Sequence, residues 1–283
     1  MKTRVISGVI FGALALCLII AGGYVLKATI LVFSAIGLYE FYKSFKEKGH
    51  RPIQPLGMMY LLFPIASFFP KLFNVAPMNV TFADGSCAVD FFTFLQVLIF
   101  IGLMTSLVLK YPKFNIIDAT ITMFGGFYIV IGFSYFIFLS DMTKGVYLVI
   151  LALLGCVAAD TFALFSGKLF GKKKLCPELS PKKTVAGSIG AFVGTVVVLM
   201  IYGTVLWFTG VYKSIPLYHY AILGIIIGGL TQIGDLGASA IKRYSGIKDF
   251  GNLIPGHGGI LDRCDGYLIV IPFVYYYLNI FVF

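Results

Sequence analysis

Long apolar runs recur along this chain and constrain its fold more than any other feature. About nine of them approach the roughly 17 to 25 residues that cross a hydrocarbon core as a helix. The runs cover residues 5–23, 25–42, 57–75, 91–109, 117–139, 145–166, 186–209, 217–241 and 266–283. A mean hydropathy of +0.95 excludes an ordinary soluble fold. The sequence therefore predicts an all-α, polytopic integral membrane protein with about nine transmembrane helices.

The distribution of cations predicts a cytoplasmic N-terminus. With that orientation, 18 of the 22 Lys and Arg residues fall in inner segments and 4 fall outside, which agrees with the positive-inside rule. Attraction of inner lysines to anionic lipid headgroups explains the net charge of +10, so no nucleic-acid partner is needed.

Polarity divides the chain into two regions. Residues 1–140 are apolar, with Glu40 as the main ionisable group at membrane depth, and we interpret them as transmembrane scaffold helices. Residues 141–283 carry carboxylates within or beside the apolar runs, together with the two longest inner loops. We expect the catalytic region there, with its site at the cytoplasmic face.

The segment 239–265 is unusually polar for this chain. Its 27 residues hold four cations, three carboxylates, a histidine and a glycine-rich turn between two apolar runs. Just before it, Asp235, Ser239 and Lys242 are spaced i, i+4 and i+7, which places them on one helical face. An ionisable group inside a span is functional by default, although Asp235 could simply be tethered to Lys242 or Arg243.

Asp262 and Asp265 precede the last apolar run, and a helix would place both carboxylates on one face. Hard divalent cations bind through a few carboxylates and substrate phosphates, so the pair predicts a magnesium site. The alternative is favourable interaction of two acids with a helix N-terminus. Arg263 and the preceding turn favour the metal.

The turn 255–259, Pro-Gly-His-Gly-Gly, cannot continue a helix. Its glycines allow the backbone amides, including those of Gly258 and Gly259, to form an anion-binding nest for phosphate. His257 could donate to a phosphate oxygen or protonate a leaving group, and the alternative is a histidine that braces the loop.

The other long inner loop, 167–184, interleaves lysines with Gly and Ser-Pro. Lysines interleaved in this way could clamp a polyphosphate, and Asp160 could serve the metal or the nucleotide. Lipid headgroups are the favoured partners of the lysines at 172–174.

These residues resemble the phosphatidate cytidylyltransferases, also called CDP-diacylglycerol synthases. The matching positions are Ser239, Lys242, Arg243, Lys248, Asp249, Pro255, His257, Gly258, Gly259, Asp262, Arg263 and Asp265, with upstream matches at 160–161, 167–168, 170–172, 180–184 and 187. Cys264 stands where the family usually has a larger residue, and Ala186 where many members have glutamate. The second departure puts any role of that glutamate in doubt.

The resemblance implies attack by the phosphate of phosphatidate on the α-phosphorus of CTP, within membrane lipids, in a bacterial plasma membrane. It implies Mg²⁺, with room for a second metal ion, and is compatible with a homodimer. The implied catalytic residues are Lys242, Arg243, Lys248, Asp249, His257 and Arg263. The implied substrate-binding residues are Ser180, Lys182, Lys183, Thr184, Ser239, Gly258 and Gly259, and the implied metal ligands are Asp235, Asp262, Asp265 and Asp160.

Two other functions are compatible with parts of this pattern. A CTP-dependent polyprenol kinase would transfer the γ-phosphoryl group to a lipid alcohol and release CDP. A transporter would also use buried carboxylates and broken helices. Clustering of the charges at one face, without symmetry between the two halves of the chain, argues against the transporter.

Overall fold

The computed structural model describes residues 2–69, 82–83, 86–87, 91–254, 256 and 258–283. Helices dominate these residues, which confirms the all-α fold class. They are α1 (Lys2–Ala21), α2 (Gly23–Glu47), α3 (Gln54–Met58), α4 (Leu62–Ala66), α5 (Phe91–Leu109), α6 (Ile116–Gly125), α7 (Gly132–Asp141), α8 (Gly145–Phe170), α9 (Val185–Phe208), α10 (Leu217–Ser245), α11 (Leu261–Cys264) and α12 (Tyr267–Phe281). A 3-10 turn, Met59–Leu61, joins α3 to α4, and a π-helical turn, Gly126–Ile131, joins α6 to α7.

The strands form two small antiparallel hairpins. One pairs β1 (Phe82–Ala83) with β2 (Ser86–Cys87). The other pairs β3 (Lys174–Cys176) with β4 (Ser180–Thr184), so part of the inner loop predicted from the sequence is a hairpin.

In the described part of the chain, six helices are long and apolar enough to cross a membrane, by length and composition. They are Gly23–Glu47, Phe91–Leu109, Ile116–Asp141, Gly145–Phe170, Val185–Phe208 and Leu217–Ser245. The protein is therefore an integral membrane protein. In the run 57–75, the described helix Gln54–Ala66 is a shorter apolar helix, and residues 70–75 lie outside the described ranges. The total of nine spans and the cytoplasmic N-terminus stay predictions.

The chain forms two compact units. The first comprises Met1–Phe138 and Ser245–Leu261, and the second comprises Leu139–Tyr244 and Asp262–Phe283. The polar segment 239–265 is thus shared between the units, a division that its hydropathy did not reveal.

The core of the first unit is built on α2, which buries Leu38, Phe41 and Tyr42 completely. The Tyr42 hydroxyl donates to the backbone oxygen of Thr122, at 2.6 Å. This bond satisfies the polar end of a buried ring and joins α2 to α6.

In the second unit, α8 and α9 pack antiparallel through small residues. A Cβ atom on Gly194 would lie 2.0 Å from Phe162, and one on Gly190 would lie 2.1 Å from Ser166. Likewise, a Cβ on Gly224 of α10 would lie 2.6 Å from the Cα atom of Val196. Glycine therefore sets the close spacing of the helices that carry the site.

Candidate active site

A cavity of about 400 Å³ lies in the second unit, between the β3–β4 hairpin and helices α8, α9 and α10. Its lining residues are Asp160, Ala163, Leu164, Gly167, Lys168, Leu175, Lys182, Lys183, Thr184, Gly187, Ser188, Gln232 and Asp235. Five of them were predicted as site residues from the sequence. The structure therefore brings together side chains from two separate polar segments.

The β3–β4 hairpin positions the lysines of this cavity. Its register pairs Lys174 with Thr184 and Cys176 with Ser180. Thr184 is buried, and its hydroxyl accepts a hydrogen bond from the backbone N–H of Gly187 at 3.1 Å. Thr184 thus caps α9, which fixes the end of the strand that carries the lysines.

Lys183 forms an ion pair with Asp235 of α10, with 2.5 Å between Nζ and Oδ2. The two side chains remain 24% and 39% exposed, so both can still reach a ligand in the cavity. The alternative that Asp235 is simply tethered to Lys242 or Arg243 is therefore wrong, because its ion-pair partner Lys183 comes from the hairpin.

Lys242 forms the second ion pair, with Asp262 of α11. Nζ lies 2.9 Å from Oδ1, and only 13% of the lysine side chain and 2% of the aspartate side chain are exposed. This bond fixes the end of α10 to the short helix that precedes Asp265. As predicted, α10 continues through Asp235, Ser239 and Lys242.

Asp265 does not continue the helix of Asp262. Helix α11 ends at Cys264, Asp265 and Gly266 form a turn, and α12 begins at Tyr267. The carboxylate of Asp265 accepts a hydrogen bond from the backbone N–H of Gly266 at 2.9 Å. Aspartate readily forms such local bonds in competition with helix, so the prediction of one continuous helical face is wrong.

Backbone contact with α10 places the Asp265 turn beside Asp235. A Cβ atom on Gly234 would lie 2.8 Å from the backbone oxygen of Asp265 and 2.8 Å from the Cα atom of Gly266. A Cβ atom on Gly266 would in turn lie 3.2 Å from Thr231. Glycine at both positions lets the two backbones touch, and this contact brings the carboxylates together.

The charges of this cluster influence one another. Desolvation, and then the neighbouring Asp235 carboxylate, raise the pKa of Asp265 to about 7, while Lys242 opposes the shift. Asp160 is close enough to add to this effect, and Lys183 and Arg263 lie within electrostatic range of Asp160. A site with several carboxylates and cations in mutual contact is suited to a ligand that carries both phosphates and a counter-ion.

A model of the cytidylyltransferase family matches residues 2–281. The chain belongs to the cytidylyltransferase family. It is 32% identical to a phosphatidate cytidylyltransferase of Bacillus subtilis, over 99% of this chain and 98% of the relative. It is also 32% identical to one of Synechocystis, over 97% and 95% of the two chains, and 29% identical to one of Staphylococcus epidermidis, over 96% of each.

Other predicted residues of this cytidylyltransferase family member lie apart from the cavity lining. Ser239 is half-buried and Arg243 is exposed, both on α10. Ser180 on β4, Lys242 on α10, Asp262 and Arg263 on α11, and Asp265 just after α11 also belong to the second unit without lining the cavity. Lys248, Asp249, Gly258 and Gly259 are in the first unit, whereas Pro255 and His257 are outside the described residues.

Three polar residues of the cavity were not among the predicted site residues: Lys168, which was only matched to the family, and Gln232 and Ser188. Gln232 lies one helical turn before Asp235, and its Nε2 atom donates to the backbone oxygen of Gly228 at 2.8 Å. Ser188 follows Thr184 by four residues at the start of α9. Helical spacing from the predicted residues would have indicated both.

Among the residues that the structure describes, no three His, Cys, Asp or Glu side chains are gathered closely enough to hold a metal ion by themselves. The four predicted metal ligands differ in whether a lysine is bonded to the carboxylate. Asp235 and Asp262 are each bonded to a lysine, while Asp265 bonds a backbone amide and Asp160 faces the cavity.

Proposed function

We propose that this protein is a phosphatidate cytidylyltransferase, which transfers CMP from CTP to phosphatidate to give CDP-diacylglycerol and pyrophosphate. The observation that carries the proposal is the meeting of two carboxylates, Asp160 and Asp235, with three lysines, Lys168, Lys182 and Lys183, in the lining of one cavity of the second unit. The names of relatives that match nearly the whole chain support the choice of substrates.

The proposed nucleophile needs no strong general base. A phosphate monoester has a second pKa of about 6, so phosphatidate is largely dianionic near neutral pH. One of its oxygens attacks the α-phosphorus of CTP, and the bond from that phosphorus to the bridging oxygen of the β-phosphate breaks. Pyrophosphate leaves with the electron pair.

Neutralisation and alignment of phosphates are the tasks left to the protein. Lys183, Lys242 and Arg263 supply positive charge around the carboxylates, and Lys182 extends it into the cavity. Positioned cations of this kind stabilise the charge that develops on the phosphoryl oxygens and on the leaving group.

We include Mg²⁺ in the proposal, held chiefly by Asp235 and Asp265. Their oxygens are the hard ligands that this ion prefers, and the charge of Asp235 already raises the pKa of Asp265. Mg²⁺ commonly uses one or two carboxylates together with substrate phosphates, so two close carboxylates fit it. When bound, the ion would neutralise phosphate charge, with Asp160 and Asp262 as flanking candidates.

The excess of cations in predicted inner segments supports a site at the cytoplasmic face of a bacterial plasma membrane. CTP is available there, and the phosphate of the lipid lies at the same interface. Formation of a homodimer belongs to the proposal on the family resemblance alone.

The test is incubation of the purified protein with CTP, Mg²⁺ and phosphatidate, followed by mass analysis of the lipids. We expect CDP-diacylglycerol and an equal amount of pyrophosphate. Release of CDP would identify a kinase instead, and absence of any turnover would contradict both enzymes.

The metal assignment has its own test, the Asp265→Ala variant. We expect it to lose pyrophosphate release, whereas Glu47→Gln, on an exposed side chain of the first unit, should behave as the unmodified protein. Retained activity of folded Asp265→Ala would contradict the metal assignment while leaving the cytidylyl transfer intact.

A further inference from the structure

Glu40 is a buried carboxylate in the apolar helix α2. Only 6% of the residue is exposed, and its helix neighbours Leu38 and Phe41 are fully buried. A carboxylate in such surroundings is costly unless hydrogen bonds or ion pairs compensate it. The partners of Glu40 therefore indicate what this residue does.

Both oxygens of Glu40 accept hydrogen bonds from backbone amides at the end of the first unit. Oε1 lies 3.2 Å from the backbone nitrogen of Ile260, and Oε2 lies 3.0 Å from that of Leu261. Because two consecutive amides are engaged by one carboxylate, the orientation of the peptide is fixed as well as its position.

Two glycines of the same segment touch this carboxylate. A Cβ atom on Gly251 would lie 2.3 Å from Oε1, and one on Gly259 would lie 2.3 and 2.4 Å from the two oxygens. Neither glycine has a positive φ, so the requirement at both positions is one of space. The Glu40 carboxylate is therefore in close contact with the backbone both before the turn, at Gly251, and at its end, at Gly259.

A backbone hydrogen bond joins Ile254 to Gly258, both of which lie between these two glycines. The backbone N–H of Ile254 donates to the oxygen of Gly258 at 2.9 Å, and Gly256 and Gly258 have φ values of 76° and 85°. These are left-handed conformations that favour glycine. The turn predicted to bind phosphate is thus closed at its base, and Glu40 lies at that base.

We propose that Glu40 is a positioning residue, which holds residues 251–254 and 258–261, on the two sides of the turn, so that the turn can bind the phosphates of CTP. The inference rests on the proposed function, since it names CTP as the ligand of the turn. The carboxylate satisfies two buried amides and fixes the direction of the chain at Ile260 and Leu261. Interpretation of residues 1–140 as scaffold alone is thereby revised for this residue.

The first test is Glu40→Gln, which keeps the size but turns one acceptor oxygen into an NH₂ group facing a backbone N–H. We expect the KM for CTP to rise about tenfold, the effect of losing a charge-assisted hydrogen bond. The KM for phosphatidate should change by less than about twofold, since the proposal assigns the turn to CTP alone. An unchanged KM for CTP in the folded variant would overturn the proposal.

The matched control is Glu47→Gln on the same helix. The Glu47 side chain is 53% exposed and pairs with Lys43 at 3.9 Å, so we expect neither KM to change. An equal rise in the KM for CTP in both variants would show a general effect of charge on α2 and contradict the positioning role.

A steric test does not depend on the stability of Glu40→Gln. Gly251→Ala places a methyl group against the carboxylate and should raise the KM for CTP, whereas the same substitution combined with Glu40→Ala has space for the methyl group. We expect the effect of Gly251→Ala to be at least about threefold smaller in the Glu40→Ala background. Equal effects in both backgrounds would overturn the proposal.

Hydrogen exchange separates this inference from the proposed enzyme activity. Peptides that cover 251–261 should exchange about tenfold faster in Glu40→Gln than in the unmodified protein, without CTP or lipid present. Faster exchange in a protein that makes no CDP-diacylglycerol would contradict the proposed function and keep Glu40 as the anchor of the turn. Unchanged exchange would contradict the anchor itself.

Discussion

The ammonium group of Lys242 and the carboxylate of Asp262 form a nearly dry ion pair, with 2.9 Å between Nζ and Oδ1. Removal of one partner leaves the other charge buried without this ion pair. We therefore expect Lys242→Met to destabilise the protein by about 3–5 kcal/mol, measured by thermal or denaturant unfolding in detergent. Lys43→Met removes the exposed pair with Glu47 and should cost about 0–1 kcal/mol. Equal losses of unfolding free energy in Lys242→Met and Lys43→Met would show that burial does not determine the strength of the Lys242 pair.

Contact between the backbones at Gly234 and Gly266 predicts a large effect of a single methyl group. Gly234→Ala should push the Asp265 turn away from Asp235 and lower kcat by about 100-fold, as misplacement by about 1 Å commonly does. Gly237→Ala is the control on the same helix, because a Cβ atom there meets nothing within 4 Å. Steady-state rates of pyrophosphate release measure both, and similar rates in the two variants would contradict this role of the contact.

The raised pKa of Asp265 predicts how Mg²⁺ binding depends on pH. Below about 7 this carboxyl group holds a proton that the metal must displace, so the stabilisation by Mg²⁺ should increase as pH rises from 6 to 8. Thermal unfolding with and without Mg²⁺, in the absence of substrate, measures the effect. Asp265→Asn removes the titrating group and should give a smaller, nearly constant shift in Tm. The same pH dependence in Asp265→Asn would assign it to another group.

Without metal, the same pKa predicts the opposite trend in stability. The folded protein keeps the Asp265 proton up to a pH of about 7, whereas the unfolded chain loses it near 3.8, the ordinary pKa of an aspartate side chain. Stability contributed by this group is therefore fully present below the lower pKa and decreases as pH rises through the interval to about 7. Asp265→Asn should lack this decrease when unfolding is followed in a metal chelator.

Lys183 is expected to act on phosphate rather than on stability. Its pair with Asp235 is partly exposed, so Lys183→Met should change Tm little while lowering kcat/KM for CTP about 10- to 100-fold. Lys172→Met, on an exposed lysine outside the cavity lining, provides the control. Comparable losses of kcat/KM in both variants would assign the effect to the general positive charge of the loop.

The sequence was informative wherever one periodic element determines the geometry. Helix α10 continues through Asp235, Ser239 and Lys242 because its apolar period is uninterrupted there, and the shared face follows from helical spacing. The cavity also contains Asp160 and Lys183, which were predicted from their chemistry and the family resemblance.

Partners on separate elements could not be predicted in this way. Helical spacing indicated Lys242 or Arg243 as the ion-pair partner of Asp235, but the partner in the structure is Lys183 of the hairpin. Glu40 contacts amides 220 and 221 residues away, and no local pattern reports such a contact. The break at Asp265 was missed because the aspartate bonds its own neighbour, which spacing alone does not reveal.

The meeting of Gly234 with the Asp265–Gly266 turn has a consequence for how this protein tolerates its lipid surroundings. Main-chain atoms, rather than flexible side chains, set the separation of Asp235 and Asp265. Outward-facing residues of α10, such as the exposed Ile225 and Ile233, can therefore vary with the acyl chains around them. Adaptation to thicker, thinner or more fluid bilayers can proceed on that outer surface while the reactive geometry stays constant.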